Sequence, residues 1–332
     1  METPADTNEG PIAARIFVDD VEEVRYTVDP WQLRMNQLSC GRLHAAFALA
    51  QVHGILLTRE FWSHRLAATG LTPPGYVALA GPCAPEGFSW CGSPTGSNGL
   101  AYSLDSSEID FVTLDRDEHW TMLIPIALIE DHLGEELAAD LLPKVRRLTG
   151  DPRRIAQLRS LVLRAIEMLS KNDTCGTDHR VLTMLEKQLL DTAVGVLLNC
   201  DGMKLDSVQA AQRFLAYRRV RGLIEHLRER PSIQQLAKES GVGRRSLEVG
   251  FKQAMAISPQ RYSRYVRLNG LHRELLLAVP GTLTVTEAAQ RWGFRELGRT
   301  SGYYRELFGE LPSDTLHRHE SSGGIRLVDA LH

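Results

Sequence analysis

Of the nineteen basic residues between positions 210 and 319, seventeen are arginines. The guanidinium is planar and permanently charged, and its fork of donors meets a phosphate or a guanine edge through two bonds at once, which an ammonium cannot do. These side chains are grouped. Arg244, Arg245 and Lys252 share one short stretch with Ser246 and Val249, and Arg295, Arg299 and Arg305 share another with Leu297. Tyr262, Tyr265, Tyr303 and Tyr304 interleave with them, Tyr262 and Tyr304 at slots that suit a core. Other chemistries find little material. Residues 15–125 hold only the separated His44, His53, His64 and His119, without the close pair and carboxylate that would bind a metal facially. The single HxH, His317 to His319, lies near the C-terminus. There is no nucleophile elbow, no phosphate-cradling glycine loop and no CxxC pair; Gly96 and Gly99 in GSPTGSNG serve a turn. No enzyme, cofactor or metal site is expected.

The two arginine-bearing stretches belong to one unit written twice. Ala237, Gly241 and Val242 correspond to Ala289, Gly293 and Phe294; Phe251, Lys252 and Pro259 correspond to Tyr304, Arg305 and Pro312, with one extra residue in the second turn. Each copy opens on a polar N-cap, Ser232 in the first and Thr284 or Thr286 in the second, and runs through a short amphipathic helix to a glycine followed by a bulky apolar residue. This is a helix-turn-helix layout. The alanine lets two helices approach, the glycine takes the turn, and Val242 or Phe294 fills the gap. Leu247 and Phe251, four apart, seal the second helix of the first copy, so that Arg244, Arg245, Ser246, Glu248, Val249 and Lys252 face outward. Glu248 and Glu296 are placed either to accept from cytosine or to pair with neighbouring arginines, and pairing is the favoured reading.

The overall formal charge of −3 hides a strong asymmetry. Residues 1–209 carry 18 Lys and Arg against 29 Asp and Glu, whereas residues 210–319 carry 19 against 10. An excess of nine positive charges on a duplicated helix-turn-helix is the footprint of a phosphate-binding module whose affinity comes largely from counterion release. The 332 residues suggest two domains, and 43% apolar content suffices for ordinary cores. No apolar run has membrane-spanning length, and METPADTNEG is polar rather than a signal peptide, so a cytoplasmic protein without membrane association is expected. Five scattered cysteines, Cys40, Cys83, Cys91, Cys175 and Cys200, fit reduced thiols.

The elements that must carry this module are legible in outline. Over residues 15–125, short segments such as RIFV, EVRYTV, WQLRMNQL and HWTMLIP, separated by Gly, Pro, Asp and Ser clusters, predict strands of a barrel or sandwich. From about 126 to 200 the period becomes helical, with Leu182, Leu185, Leu189 and Val196 on one stripe that either buries internally or forms a dimer surface. A long basic helix leads into the first copy, and Gln260 to Leu277 joins the two, ended by Pro280 and Gly281. The expected fold is α+β and multidomain. Residues 1–205 form a sensing or dimerisation domain; residues 206–319 form an all-α domain with helix-turn-helix units at about 232–254 and 284–308; and 320–332 is a tail.

The C-terminal pattern resembles the AraC/XylS family of transcriptional regulators. Gly293 and Phe294 at the second turn, then Tyr304, Phe308, Gly309 and Pro312, carry the likeness, which extends over about 213–318. Thr300 stands where the family usually has an aromatic, and Gly298 where it commonly has serine, which predicts looser packing of the second recognition helix unless Tyr303 compensates. The resemblance implies a cupin-like N-terminal barrel followed by a helical dimerisation segment. It implies also that two recognition helices enter successive major grooves about 34 Å apart. Arg244, Arg245, Ser246 and Val249 of the first unit and Arg295, Leu297, Arg299 and Arg305 of the second then become the DNA contacts, with Arg245 and Arg299 on bases and Lys252 and Arg305 on phosphates. Double-stranded promoter DNA, RNA polymerase and a second copy of the chain are the implied macromolecular partners. The barrel is expected to hold a small-molecule effector among Trp31, Phe88, Trp90, Tyr102, Phe111 and Trp120. The function expected is a sequence-specific activator that responds to that effector. The alternative keeps the DNA module but gives the N-terminal domain only dimerisation or a protein partner.

Overall fold

The computed structural model describes residues 13–27, 30–83, 87–90, 93–96, 99–142, 147–171, 178–202, 208–226, 231–279, 281–318 and 327–328. Cys91, Cys175, Pro280, His319 and most of the tail lie outside them. Among the described residues no helix is long and apolar enough to cross a membrane.

The N-terminal half folds because its strands alternate two kinds of face. Strands β3 (Ala45–Val52) and β4 (Ile55–Trp62) pair through a two-residue turn in which His53 and Gly54 both take positive φ, the geometry whose twist suits a tight hairpin. β11 (Asp117–Pro125) pairs with β4 on one side and with β6 (Tyr76–Pro82) on the other. β9 (Gly99–Leu104) continues the sheet beyond β6, and β1 (Ala13–Val18) flanks β3. A second antiparallel sheet orders β2 (Gln32–Gln37), β5 (Leu66–Leu71), β10 (Glu108–Val112), β7 (Ser89–Trp90) and β8 (Ser93–Pro94). Among the described residues the two sheets share no strand pairing, so the expected barrel is open.

Two segments depart from the expected assignment. The described part of EVRYTV, residues 23–27, belongs to a helix, α1 (Val21–Thr27): Asp20 accepts from the Glu22 backbone N–H at 2.9 Å as an N-cap, Glu22 and Glu23 occupy the first turn, and Val21 and Val24 go into the core. The helical region after residue 126 is interrupted by β12 (Arg147–Gly150), which pairs with β9 and with β13 (Cys200–Gly202) and widens the large sheet to nine strands, β14 (Leu327–Val328) completing its other edge beside β1. Around those strands run α2 (Ile126–Leu133), α3 (Glu135–Leu141), α4 (Pro152–Leu169) and α5 (His179–Leu198). Asp151 and Asp178 cap the two long helices by accepting from Arg153 and Arg180. Their stripes, Ile155, Leu158, Val162, Leu185 and Leu189, close one face of the large sheet over Leu57, Leu79, Trp120 and Met122. The other face, with Phe47, Trp62 and Ala80, turns toward the small sheet.

Among the described residues from 208 to 318 the regular elements are all helices: α6 (Val208–His226), α7 (Ile233–Ser240), α8 (Arg244–Met255), α9 (Pro259–Leu276), α10 (Val285–Arg291), α11 (Leu297–Phe308) and α12 (Pro312–His317). This helical part docks on the small sheet. The backbone of edge strand β2 is met by a side chain instead of a further strand: Gln37 N–H donates to Asn269 Oδ1 at 2.8 Å, and Asn269 Nδ2 donates to Gln37 C=O at 3.1 Å. One amide from α9 thereby satisfies the edge backbone at the end of β2.

Candidate nucleic-acid interface and ligand cavity

Both helix-turn-helix units are built as the duplication requires. Ser232 and Gln235 form a reciprocal capping box at the start of α7, and Thr284 and Glu287 form the same box at the start of α10, which fixes Thr284 as the second cap. Gly241 and Gly293 take φ of 72° and 71° in the two turns. Leu236, Leu247 and Phe251 bury in the first unit, and Ala288, Ala289, Phe294, Tyr304, Leu307 and Phe308 in the second. Joining helix α9 runs through the core of both, with Tyr262 and Tyr265 buried as well. Gly270 permits the closest approach: a Cβ there would sit 2.2 Å from the Trp292 ring.

Packing inward leaves a basic surface outward. On α8, Arg244, Arg245, Ser246, Val249 and Lys252 are exposed, and Arg244 donates to Glu248 at 3.0 Å, four residues on. On and before α11, Arg295, Arg299 and Arg305 are exposed, and Arg299 lies 3.4 Å from Glu296. Leu297 differs from the rest of the set, being half-buried against the core. Thr300, expected to loosen the second unit, is 4% exposed, and its hydroxyl donates to Glu296 C=O at 2.9 Å. Beside it the Arg264 guanidinium stacks 4.2 Å from the Tyr303 ring centroid, so this helix is covered where an aromatic was missing.

Between α9 and α11 lies a cleft of about 460 Å³ that brings Arg295 and Arg299 together with Arg261, Arg264 and Arg267. The last three stand on the joining helix, which the duplication by itself marks only as a spacer. Its period of three, Arg261, Arg264, Arg267, was the available signal. Arg267 is buried, donating to the Trp292 and Gly293 carbonyls and lying over the Phe294 ring, which makes it a support for the turn. Arg261 and Arg264 extend the basic surface.

The N-terminal half holds each unit by a buried polar chain. Asp20 accepts from His272 Nε2 at 2.8 Å and from Arg318; His272 Nδ1 meets the Tyr304 hydroxyl of α11, which in turn meets Thr315. Burial pushes the Asp20 carboxyl upward, but His272, the Glu22 N–H and Arg318 together hold it well below the usual carboxylate range. Near the first unit, Arg221 and Tyr217 of α6 donate to Asp110 of β10, and Arg221 donates also to Glu225 at 2.8 Å. Tyr217 packs on Phe251 of α8 at 5.5 Å between ring centroids.

A cavity of about 40 Å³ lies between the sheets. Four of the aromatics singled out from the sequence, Trp31, Phe88, Trp90 and Phe111, line it. Tyr102 and Trp120 do not. Strand alternation sends Ala101, His119 and Thr121 inward and turns Tyr102 and Trp120 toward the helices, where Tyr102 donates to Leu142 C=O at 2.6 Å. At the polar end of the cavity His119, legible in sequence only as a separated histidine, meets partners that strand pairing supplies. His119 of β11 stands directly opposite Glu60 of β4 in the strand register; its Nε2 lies 3.2 Å from Glu60 and its Nδ1 2.6 Å from Asp117. Glu60 accepts further from Thr58 and Thr121. Burial acts to lower the His119 pKa, but the two carboxylates outweigh it and the imidazole is pushed up to about 10; the same contacts lower Glu60 against its burial. Both ring nitrogens are thus occupied, and among the described residues no cluster is arranged to hold a metal ion. His44, His53 and His64 lie elsewhere, bonded to Asp19, Glu186, and Ser63 with the Cys40 carbonyl.

Two units capped alike, sharing one joining helix and presenting basic faces, define a double helix-turn-helix DNA-binding domain. A helix-turn-helix domain family model matches residues 236–318. A probable thc operon regulatory protein of Rhodococcus erythropolis is 40% identical over 91 residues, 27% of this chain and 27% of that protein. XylDLEGF operon transcriptional activator 2 of Pseudomonas putida is 35% identical over 96 residues, 29% of this chain and 61% of that protein. Among solved structures, a probable AraC family transcriptional regulator from Rhodopseudomonas palustris is 38% identical over 31% of this chain and 95% of its own, with a TM-score of 0.29. The chain therefore spans about a quarter of the first relative and under two thirds of the second. Over this segment, about a quarter of the chain, the domain is similar to the helix-turn-helix domains of these transcriptional regulators.

Proposed function

We propose that the chain binds promoter DNA through α8 and α11 and activates transcription in response to a small ligand held between its two sheets. The observation that carries the DNA reading is the division of each recognition helix into a sealed apolar face and an exposed basic one. Arg245 and Arg299 are assigned to base edges, and Arg244, Lys252, Arg295 and Arg305 to phosphates or neighbouring edges, with Ser246, Val249 and Leu297 beside them. Arg261 and Arg264 join the phosphate set. RNA polymerase and a second copy of the chain complete the partners.

Strand β10 supports the ligand-responsive reading. Ile109 and Phe111 line the cavity, while the alternate residues Glu108 and Asp110 pair with Arg218 and Arg221 of α6. A ligand that moves this strand changes the grip on the first helix-turn-helix unit. A purely dimerising N-terminal domain is the second reading, favoured by Met184, 74% exposed on α5.

The test is equilibrium binding of the full-length chain to duplex fragments from the region around its own gene. Affinity should fall steeply with salt. Arg299→Ala should erase about 1–3 kcal/mol of discrimination at one base position. Equal weakening on every sequence would reassign Arg299 to a phosphate, and salt-independent affinity would sink the DNA reading.

A further inference from the structure

We propose that the cavity between the sheets takes a compact organic cation, an alkylammonium head group; this rests on reading the cavity as the effector site. Glu60, Asp117 and His119 form a buried triad at one end, with side chains 10%, 4% and 6% exposed. Two carboxylates and one imidazolium sum to one formal negative charge. Arg59, the basic neighbour in sequence, points away and pairs with Glu118. Among the described residues no cation other than His119 lines the cavity. A buried excess charge in an apolar surround is costly unless something of opposite sign completes it.

The opposite walls suit the same ligand. Trp31, Phe88, Trp90 and Phe111 surround the space, with Trp90 stacked along Phe111 at 6.3 Å and Phe88 edge-on to Trp90 at 6.5 Å. Aromatic faces attract a desolvated cation through the ring quadrupole, and a cage of several is the usual way to recognise an ammonium. Glu60 stands at the boundary of the two regions and lines the cavity itself. An anionic ligand would meet Glu60 and four aromatic rings, with the His119 imidazole already held between two carboxylates. A neutral one would bring no opposite charge to the triad. The cavity, about 40 Å³ where a water needs about 10–15 Å³, admits a head group of tert-butyl size rather than an extended molecule.

The experiment uses three near-isosteres, tert-butylammonium, tert-butanol and pivalate, titrated into the full-length chain by calorimetry and by the fluorescence of Trp31 and Trp90. The expected result is that the ammonium binds about tenfold tighter than the alcohol, with pivalate weakest. Glu60→Gln should bring ammonium and alcohol to equal affinity, and Trp31→Leu should weaken the ammonium about tenfold with less effect on the alcohol. If pivalate or tert-butanol binds the unmodified chain as tightly as the ammonium, the cation assignment is overturned while the ligand site survives. If none of the three binds, the effector site itself is overturned. The comparison within the unmodified chain decides the matter even where Glu60→Gln does not fold.

Discussion

Ala256 and Gly309 occupy the same place in the two copies, immediately after the recognition helix, and both are left-handed, with φ of 58° and 76°. Glycine adopts that conformation without a Cβ clash, whereas alanine pays about 1–2 kcal/mol, offset in part by glycine's greater freedom when unfolded. Ala256 is exposed and has no packing to lose. Ala256→Gly should therefore stabilise the chain by about 0.5–1 kcal/mol, read as a shift of the urea midpoint at unchanged slope. Gly309→Ala should do the reverse, since its Cβ would lie 3.2 Å from the Arg42 backbone nitrogen. A loss of stability on Ala256→Gly would mean that its methyl has a role in packing that its exposure does not suggest.

At the scale of elements, the pairing of β4 with β11 is what creates the triad. Glu60 and His119 are opposite one another only because the strands hold that register. The His119 pKa, raised from 6.5 to about 10, sets the sign of the pH dependence. Its contribution to stability is complete below the unfolded value of 6.5 and is lost as pH rises through about 10. Melting temperature should accordingly decline across that window, and His119→Gln should flatten the decline while lowering stability at neutral pH. An unchanged slope in the variant would show that the imidazole is not held charged between the strands.

For the molecule as a whole, the buried chains from Asp20 and Asp110 decide whether the two halves act as one body. Asp20, its pKa depressed, contributes stability above the ordinary carboxylate range and loses it as pH falls below that range. Removing one partner of a buried pair leaves the other uncompensated, at a cost of about 3–5 kcal/mol. Asp20→Asn should thus speed hydrogen exchange in α9 and α11 at neutral pH and leave the amides of β4 and β11 protected. Exchange that rises evenly over both halves would instead indicate global unfolding, and no change at all would show that the anchor carries no load. Because Asn269 caps the edge of β2, the small sheet is at once a wall of the cavity and the seat of the joining helix.

Local order in the chain determined the helical half. Caps, turn glycines, apolar spacing and arginines all act within a few residues of one another, so Ser232, Gly241, Leu247 and Phe251, and their second copies, could be placed from sequence and mark out the exposed arginines. The α+β order and four cavity aromatics were legible for the same reason, through runs of strand and turn signals. Tertiary structure alone decided the remainder. The triad joins residues 60, 117 and 119 through strand register; Trp120 and Tyr102 turn away from the cavity because alternation fixes each strand's faces only once its pairing is set; and the described part of EVRYTV is helical because Asp20 caps the helix and Val21 and Val24 find a core. The seating of α9 on β2 has the same origin. One asparagine, 232 residues distant from Gln37 in the chain, meets the backbone at the end of edge strand β2, and no local pattern records such a contact.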